Sequence, residues 1–224
     1  MKIPWIFHKD YDIPLPKNHR FSSSKFGDLY TLLIDSELAK SAEVFVPNAA
    51  EDSQLTEVHT RDYISKIKNG NLSNKEEKIL GLPWSETLSK RSYLAVNGTY
   101  LAAKLALING IACHLAGGTH HAHANYGSGF CVYNDLAYAA KNIISDGKCK
   151  KVLIIDCDVH QGDGTAEICK NETNIFTCSV HASNNFPSLK AKSDLDVGLD
   201  DKISDENYLE KIKFAPVSYT HLRA

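Results

Sequence analysis

The sequence lacks the features that would place a protein in a membrane or outside the cell. No segment approaches the roughly 20 consecutive apolar residues of a membrane span, and the N-terminal MKIPWIFHKDYDIP has no continuous apolar core of a signal peptide. The six cysteines form no CxxC pair and lie mostly in apolar stretches, a pattern typical of free thiols in an intracellular protein. We therefore expect a cytoplasmic protein without a disulfide framework.

The sequence also lacks an excess of charge of one sign. Its 25 basic residues stand against 27 acidic ones and form no stripe that would neutralise phosphates or attract an anionic membrane. This balance argues against nucleic acid and membrane as direct partners.

The order of apolar segments predicts an α/β fold. With 43% hydrophobic residues, the chain can bury one sizeable core. Helices are predicted where apolar residues recur at helical spacing, from Phe26 to Leu33, from Thr60 to Gly70, from Ser85 to Gly110 and from Tyr133 to Ser145. Continuous apolar runs predict buried strands over 3–8, 111–115, 151–155 and 175–180. The alternation indicates three layers, with a central, mainly parallel β-sheet flanked by helices.

Polar residues follow the predicted strand 151–155 in an unusual pattern. Asp156, Asp158 and His160 alternate, so in an extended backbone they would point to one side. Buried carboxylates need a cation or strong hydrogen bonds, and Asp with His is a common zinc ligand set. We expect Asp158 and His160 to bind a metal. The alternative is structural: the acids cap the following turn, and Asp163-Gly164 is a loop dipeptide.

A second unusual stretch, 117–131, follows the predicted strand 111–115. It contains His120, His121 and His123 between glycines. Two adjacent imidazoles near strand ends that supply carboxylates can be oriented and tuned to transfer protons near neutral pH. His123 alone is more typical of a structural histidine, and His121-Ala-His123 also has the spacing of a metal clip.

Together these two stretches resemble a known family. GGTHHAHANYGSGFCVYNDLAYAA followed by VLIIDCDVHQGDGTAEI is similar to the paired signature of the histone deacetylases and related acyl-lysine or acylpolyamine hydrolases, in its bacterial or class IV-like branch. The resemblance covers about residues 3–213 and implies an arginase/deacetylase-like α/β fold. It implies zinc hydrolysis of an amide on an acyl-lysine peptide or protein, or on an acylated polyamine.

The resemblance also implies roles for individual residues. Asp158 and His160 would bind zinc, His121 would be the general base and later acid, and His120 would be its electrostatic companion.

Further roles concern orientation and the substrate. Asp156 and Asp163 would be hydrogen-bonded to His120 and His121, respectively. Phe130 and Phe186 would form walls of a tunnel for the aliphatic stem of acyl-lysine, with Gly129 leaving room between them; ordinary core aromatics are the alternative. A structural monovalent cation, K⁺, would be held at positions Asp156, Asp158, His160, Ser179 and Val180.

The sequence departs from this family toward its end. The third zinc ligand and the oxyanion-stabilising tyrosine of the family lie beyond the matching part, and the acids after Ser193 match a surface loop and the next helix. We therefore expect residues 1–213 to be the N-terminal two-thirds of the domain, 214–224 to be an unmatched, foreign tail, and this chain to be an inactive fragment. The alternatives are an arginase-type manganese hydrolase and a non-catalytic module that binds acyl-lysine or a partner protein.

Overall fold

The computed structural model describes residues 2–222, with side chains described as far as Lys213. The tail expected over 214–224 therefore lies outside the residues whose side chains are described. The chain divides into two compact units, Met1–Cys149 and Lys150–Ala224.

The first unit contains three short parallel strands and six helices. The strands are β1 (Ile3–Ile6), β2 (Ala42–Phe45) and β3 (Cys113–His114), in the order β2-β1-β3. The helices are α1 (Lys25–Ile34), α2 (Asp52–Leu55), α3 (Arg61–Asn69), α4 (Asn74–Leu80), α5 (Glu86–Asn109) and α6 (Asp135–Ser145), with 3-10 helices at Lys9–Tyr11 and Glu37–Ser41. The long helix α5 packs on β1 and α6, which makes it the centre of this unit's core.

Helix ends in the first unit follow the capping residues that the sequence predicts. Thr60 accepts a hydrogen bond from the backbone of Tyr63 at 3.3 Å, and Ser85 accepts one from Leu88 at 3.1 Å. Gly70 and Gly110 end α3 and α5 in the left-handed conformation. The predicted bounds of both helices are confirmed.

Two predictions for this unit are less accurate. The strand predicted over 111–115 is reduced to Cys113–His114, and Ile111 is 53% exposed. Helix α1 is confirmed, but of its apolar stripe Phe26 is buried whereas Leu29 is exposed. The four-residue strand β2 was missed because it is too short to show a period.

The second unit is a three-stranded parallel sheet with two helices. Its strands are β4 (Val152–Asp156), β5 (Ile175–Ala182) and β6 (Leu195–Leu199), in the order β4-β5-β6. Helix α7 (Asp163–Cys169) contacts β5, and α8 (Asp205–Leu222) contacts β5 and β6. The strands predicted over 151–155 and 175–180 are confirmed.

The assignment of the acids after Ser193 to a surface loop and the next helix is confirmed for Asp194, Asp200, Asp201 and Asp205 but is wrong for Asp196. Asp196 lies in β6, paired in register with Ser179, and Asp194 accepts hydrogen bonds from the backbone and hydroxyl of Thr177 at 2.8 and 3.1 Å. The Asp194 carboxylate therefore links the start of β6 to β5. In the part of the chain that the structure describes, no helix has the length and apolar character needed to cross a bilayer.

Candidate functional site

The tandem histidines lie in the segment 115–134 that connects β3 to α6. Both are buried, His120 with 6% and His121 with 4% of its surface exposed. Their imidazole rings lie 4.0 Å apart between centroids, at an angle of 41°. The fold thus brings together the two histidines that the sequence predicts as proton-transfer groups.

The buried carboxylate of Asp135 holds the backbone that precedes these histidines. Asp135 is the first residue of α6 and is fully buried. Its Oδ2 accepts hydrogen bonds from the Gly118 amide at 3.0 Å and the Thr99 hydroxyl at 2.5 Å. Its Oδ1 accepts from the Thr119 amide at 2.7 Å and lies 2.6 Å from the Thr119 hydroxyl, whose single proton it shares with the Tyr133 carbonyl, also at 2.6 Å. Four donors therefore offset the cost of burying this charge.

A chain of hydrogen bonds extends this anchor from Thr99 of α5 through His114 of β3 to Tyr11. Because Thr99 donates its hydroxyl proton to Asp135, it accepts from His114 Nδ1–H at 2.8 Å, and His114 Nε2 accepts from the Tyr11 hydroxyl at 2.8 Å. Burial lowers the pKa of His114 to about 4 and raises that of Tyr11. The bonding pattern and the burial both favour a neutral His114.

Asn134 and His59 hold the other side of the histidine segment. The Asn134 side-chain amide donates to the carbonyls of His120 at 3.4 Å and Ala122 at 3.1 Å. His59 Nε2 accepts from the Asn134 backbone at 3.0 Å, so its Nδ1–H donates to the His123 carbonyl, also at 3.0 Å. Burial lowers the pKa of His59 to about 4, which matches this neutral tautomer.

Sequence reasoning found Asn134 and Asp135 only as part of a family signature and assigned them no role. His59, Thr99 and His114 were missed as site residues. Their hydrogen bonds to one another and to Asn134 and Asp135 span 15 to 75 positions along the chain, so no local pattern marks them. The strongest available signal was the Asn-Asp pair at the start of a helix, next to a histidine-rich loop.

His123 has the surroundings of a structural residue. Its ring stacks on Tyr126 with centroids 4.4 Å apart and an angle of 13°, and its amide donates to the Tyr126 carbonyl at 2.9 Å. These contacts form a tight turn at the outer end of the segment.

Gly129 and Phe130 both have left-handed backbone conformations, with φ of 53° and 66°. The sequence predicts Gly129 as a spacer between aromatic walls; a Cβ there would lie 2.5 Å from His121 Cδ2, so the glycine also makes room for the imidazole. Phe130 is unusual because a bulky residue with positive φ costs about 1–3 kcal/mol. Its amide donates to the Leu80 carbonyl at 2.8 Å and its ring lies 5.5 Å from that of Phe21.

In the second unit, the backbone after β4 bends instead of staying extended. Asp156 Oδ1 accepts from the Asp158 amide at 2.9 Å, and Asp158 Oδ1 accepts from the His160 amide at 2.8 Å. The expectation of an extended backbone from Asp156 to His160 is therefore wrong. The proposed turn-capping by these acids is present, because each carboxylate bonds the amide two residues later.

This bend brings the two expected metal ligands together. Asp158 Oδ1 lies 2.9 Å from His160 Nδ1, and both side chains are substantially exposed. Carboxylate oxygen and imidazole nitrogen are both donor atoms that zinc binds in proteins. The pair supplies two donors, and among the described side chains no group of three His, Cys, Asp or Glu residues is arranged to hold a metal ion.

The remaining predicted residues of this unit lie close to the same strand ends. Asp163 is the buried first residue of α7, so the loop-dipeptide alternative for Asp163-Gly164 is wrong. Ser179 is buried in β5 and pairs in register with Asp156, and Val180 follows it.

Phe186 lies beside one of the expected metal ligands. Its ring centroid is 6.1 Å from that of His160, with the two rings at 78°, and the residue is 42% exposed. The alternative of an ordinary core aromatic does not hold for this residue. The hydrogen bonds expected from Asp156 to His120 and from Asp163 to His121 involve residues of different units and stay predictions.

Comparison with known proteins identifies one family. A model of the histone deacetylase domain matches residues 19–219. An uncharacterized protein of Picosynechococcus sp. is 45% identical over 210 residues, covering 94% of this chain and 70% of that protein. The acetoin utilization protein AcuC of Staphylococcus aureus (strain COL) is 33% identical over 180 residues, covering 75% of this chain and 46% of that protein.

Two solved structures show the same fold. A histone deacetylase homolog complexed with SAHA has a TM-score of 0.75 at 24% identity, covering 96% of this chain and 65% of that chain. The HDA15 HD domain has a TM-score of 0.72 at 18% identity, covering 89% and 62%. The predicted α/β fold with parallel strands and flanking helices is confirmed. The chain spans about half to two-thirds of the length of most of these relatives.

The neutral histidines His59 and His114 predict a loss of stability on mild acidification. The unfolded chain takes up protons at these imidazoles near pH 6.5, whereas the folded chain does so near pH 4. The unfolded state therefore binds more protons, and stability falls by about 2 kcal/mol per histidine from pH 7 to pH 5. In urea titrations, His59→Gln should lose less stability over this range than the wild type and run parallel to it above pH 7. Equal losses over the range would contradict the neutral assignment.

Gly129 should tolerate a methyl group poorly. Gly129→Ala adds both a positive-φ penalty and a clash with His121, whereas Gly118→Ala adds only the penalty, because nothing lies within 4 Å of its Cβ position. We expect Gly118→Ala to cost about 1 kcal/mol in urea unfolding and Gly129→Ala about 1–3 kcal/mol more. Similar losses in both variants would show that His121 does not pack on Gly129.

Proposed function

Because the chain belongs to the histone deacetylase domain family, we propose that it is a zinc-dependent amide hydrolase that removes an acyl group, such as acetyl, from lysine side chains or a related amine. The observation that carries the proposal is the pair of buried histidines, His120 and His121, on a backbone segment fixed from both sides by Asp135 and Asn134. Such rigid placement suits proton transfer, which requires a base held within hydrogen-bonding reach of its proton.

In the proposed reaction His121 is the general base. It accepts a proton from the attacking water and returns it to the amine nitrogen as the amide C–N bond breaks, giving a carboxylate and a free amine. His120, with its ring 4.0 Å away, is the electrostatic companion. Gly129 supports this role, since its bare Cα allows the His121 ring to lie against the backbone.

Asp158 and His160 are the proposed zinc ligands from this chain. Their donor atoms lie 2.9 Å apart, and a catalytic zinc site takes a third protein ligand in addition. When bound, zinc supplies a Lewis acid that polarises the amide carbonyl and acidifies water. Asp156 and Asp163 are proposed to orient the histidines, and a structural K⁺ is proposed near Asp156, Asp158, His160, Ser179 and Val180.

Acyl-lysine and acylated polyamines are the proposed substrates. Both present an aliphatic stem that aromatic walls can bury without hydrogen bonds. Phe186, exposed beside His160, and Phe130, held in a strained conformation, are proposed as those walls. The solved relative's complex with SAHA is consistent with such a substrate.

The proposal predicts that turnover depends on His121. With zinc and an Nε-acetyl-lysine peptide, His121→Ala should lower the hydrolysis rate by about 10²–10⁴-fold, the usual contribution of a general base. His123→Ala, in the same segment, should change the rate much less. Released acetate and free amine are measured together.

Other outcomes separate the competing functions. A wild-type chain without turnover would match the inactive fragment that the sequence predicts, and peptide binding without turnover would favour the non-catalytic acyl-lysine module. Two manganese ions per chain, counted by elemental analysis, would favour the arginase-type hydrolase. Wild-type turnover that is unchanged in His121→Ala would contradict the assigned base.

A further inference from the structure

Gln161 follows the proposed zinc ligand His160, and its side chain is 1% exposed. Its Nε2 donates to the Ala191 carbonyl at 2.9 Å and to Asp196 Oδ1 at 2.8 Å. Its Oε1 accepts from the Ala191 amide at 2.8 Å. The side chain therefore binds both backbone groups of Ala191, as a neighbouring strand would, and leaves no amide hydrogen unused.

Ala191 belongs to the loop between β5 and β6, which also carries Phe186. The neighbouring Lys190 ammonium donates to the Asn185 carbonyl at 2.5 Å and the Pro187 carbonyl at 2.6 Å, the two groups that flank Phe186. Asn185 Oδ1 accepts from the Phe186 amide at 2.7 Å. The loop is thus braced internally from Ala191 to the base of the Phe186 ring.

These contacts connect the bend at His160 and Gln161 to the loop between β5 and β6 at two places, Ala191 and Phe186. Gln161 directly follows His160 in the chain and bonds Ala191, and Lys190 next to Ala191 bonds the two carbonyls that flank Phe186. The Phe186 ring in turn lies 6.1 Å from the His160 ring. Phe186 is 42% exposed, so burial alone does not fix its ring. The brace is therefore one of the constraints on its position beside His160.

We propose that Gln161 is a positioning residue for the substrate passage. By fixing Ala191 it holds Phe186 beside His160 and so sets how closely the passage grips the aliphatic stem of the substrate. Gln161 touches neither substrate nor metal in this role. The inference rests on the proposed function for its effect on substrate, but its effect on the loop can be measured independently.

The first test is hydrogen exchange of the Ala191 amide in the full chain. Gln161→Met keeps the side-chain length but removes all three hydrogen bonds, and should accelerate this exchange by at least about tenfold. The matched control is Thr177→Val, because Thr177 is also buried and its hydroxyl bonds Asp194 near the end of the same loop. The control should leave Ala191 exchange unchanged. Equal exchange in wild type and Gln161→Met would overturn the proposal.

A rescue variant tests the bonding pattern. Gln161→Glu places a carboxylate against Asp196, whereas the double variant Gln161→Glu with Asp196→Asn restores a donor between the two side chains. The second change should slow Ala191 exchange back toward the wild-type rate. Faster exchange in the double variant than in Gln161→Glu would contradict the pairing.

The second test measures the substrate. For the zinc-loaded chain and an Nε-acetyl-lysine peptide, Gln161→Met should raise KM by about fivefold or more with kcat changed less than about twofold, since binding and not proton transfer is affected. Lys190→Met should raise KM similarly without accelerating Ala191 exchange.

If exchange accelerates but KM stays at the wild-type value, the positioning role is overturned. If the chain binds the peptide without turnover, its Kd replaces KM in the same comparison. If the wild type neither binds nor hydrolyses the peptide, the proposed function fails, and with it the effect on substrate; the exchange result then still decides whether Gln161 fixes the loop.

Discussion

The first unit depends on one buried charge, the carboxylate of Asp135. A carboxylate without compensation would be expelled from a protein interior, and here four hydrogen bonds from Thr99, Gly118 and Thr119 compensate it. Its place in the first turn of α6 adds the favourable dipole of a helix N-terminus. The same bonds that stabilise the charge fix the backbone directly before His120. Stability and placement of the proposed base therefore have a common origin.

In the second unit, the proposed zinc ligands are positioned by a neutral side chain and not by a buried charge. These ligands lie on an exposed bend in which Asp156 and Asp158 each bond the amide two residues later. The two hydrogen bonds of this bend lie within residues 156–160, so they do not fix the bend relative to the sheet. Gln161 connects the two, since its buried amide joins the bend to Ala191 and to Asp196 of β6. A neutral amide can do so without the cost of burying another charge.

Sequence patterns were sufficient where the determining interactions are local. The caps at Thr60 and Ser85 and the glycines after α3 and α5 act within one helical turn, so the helix bounds were predictable. The pairing of Asp158 with His160 was also predictable, although its geometry is a bend and not an extended strand. The histidines of the family signature were found because they are adjacent in sequence.

The remainder of the site was not predictable because it is built from distant residues. His59 reaches Asn134 across 75 positions, and Gln161 reaches Ala191 across 30. The sequence predicts that Gly129 leaves room for a neighbour. It does not predict that His121 is that neighbour, since their contact depends on the path of the backbone between them. Strand β6 was missed although Leu195–Leu199 alternates apolar residues with Asp196 and Gly198, as a half-buried strand does, because the strands predicted from the sequence are all continuous apolar runs.

The most direct measurement of the central claim is a double-mutant cycle between Asp135 and Thr119. Unfolding free energies in urea would be compared for Asp135→Ala, Thr119→Val and the double variant. If the buried carboxylate holds this segment, the two changes should be coupled by at least about 1 kcal/mol, because either one breaks the same contact. Additivity to within about 0.5 kcal/mol would show that Asp135 does not anchor the backbone before the histidines.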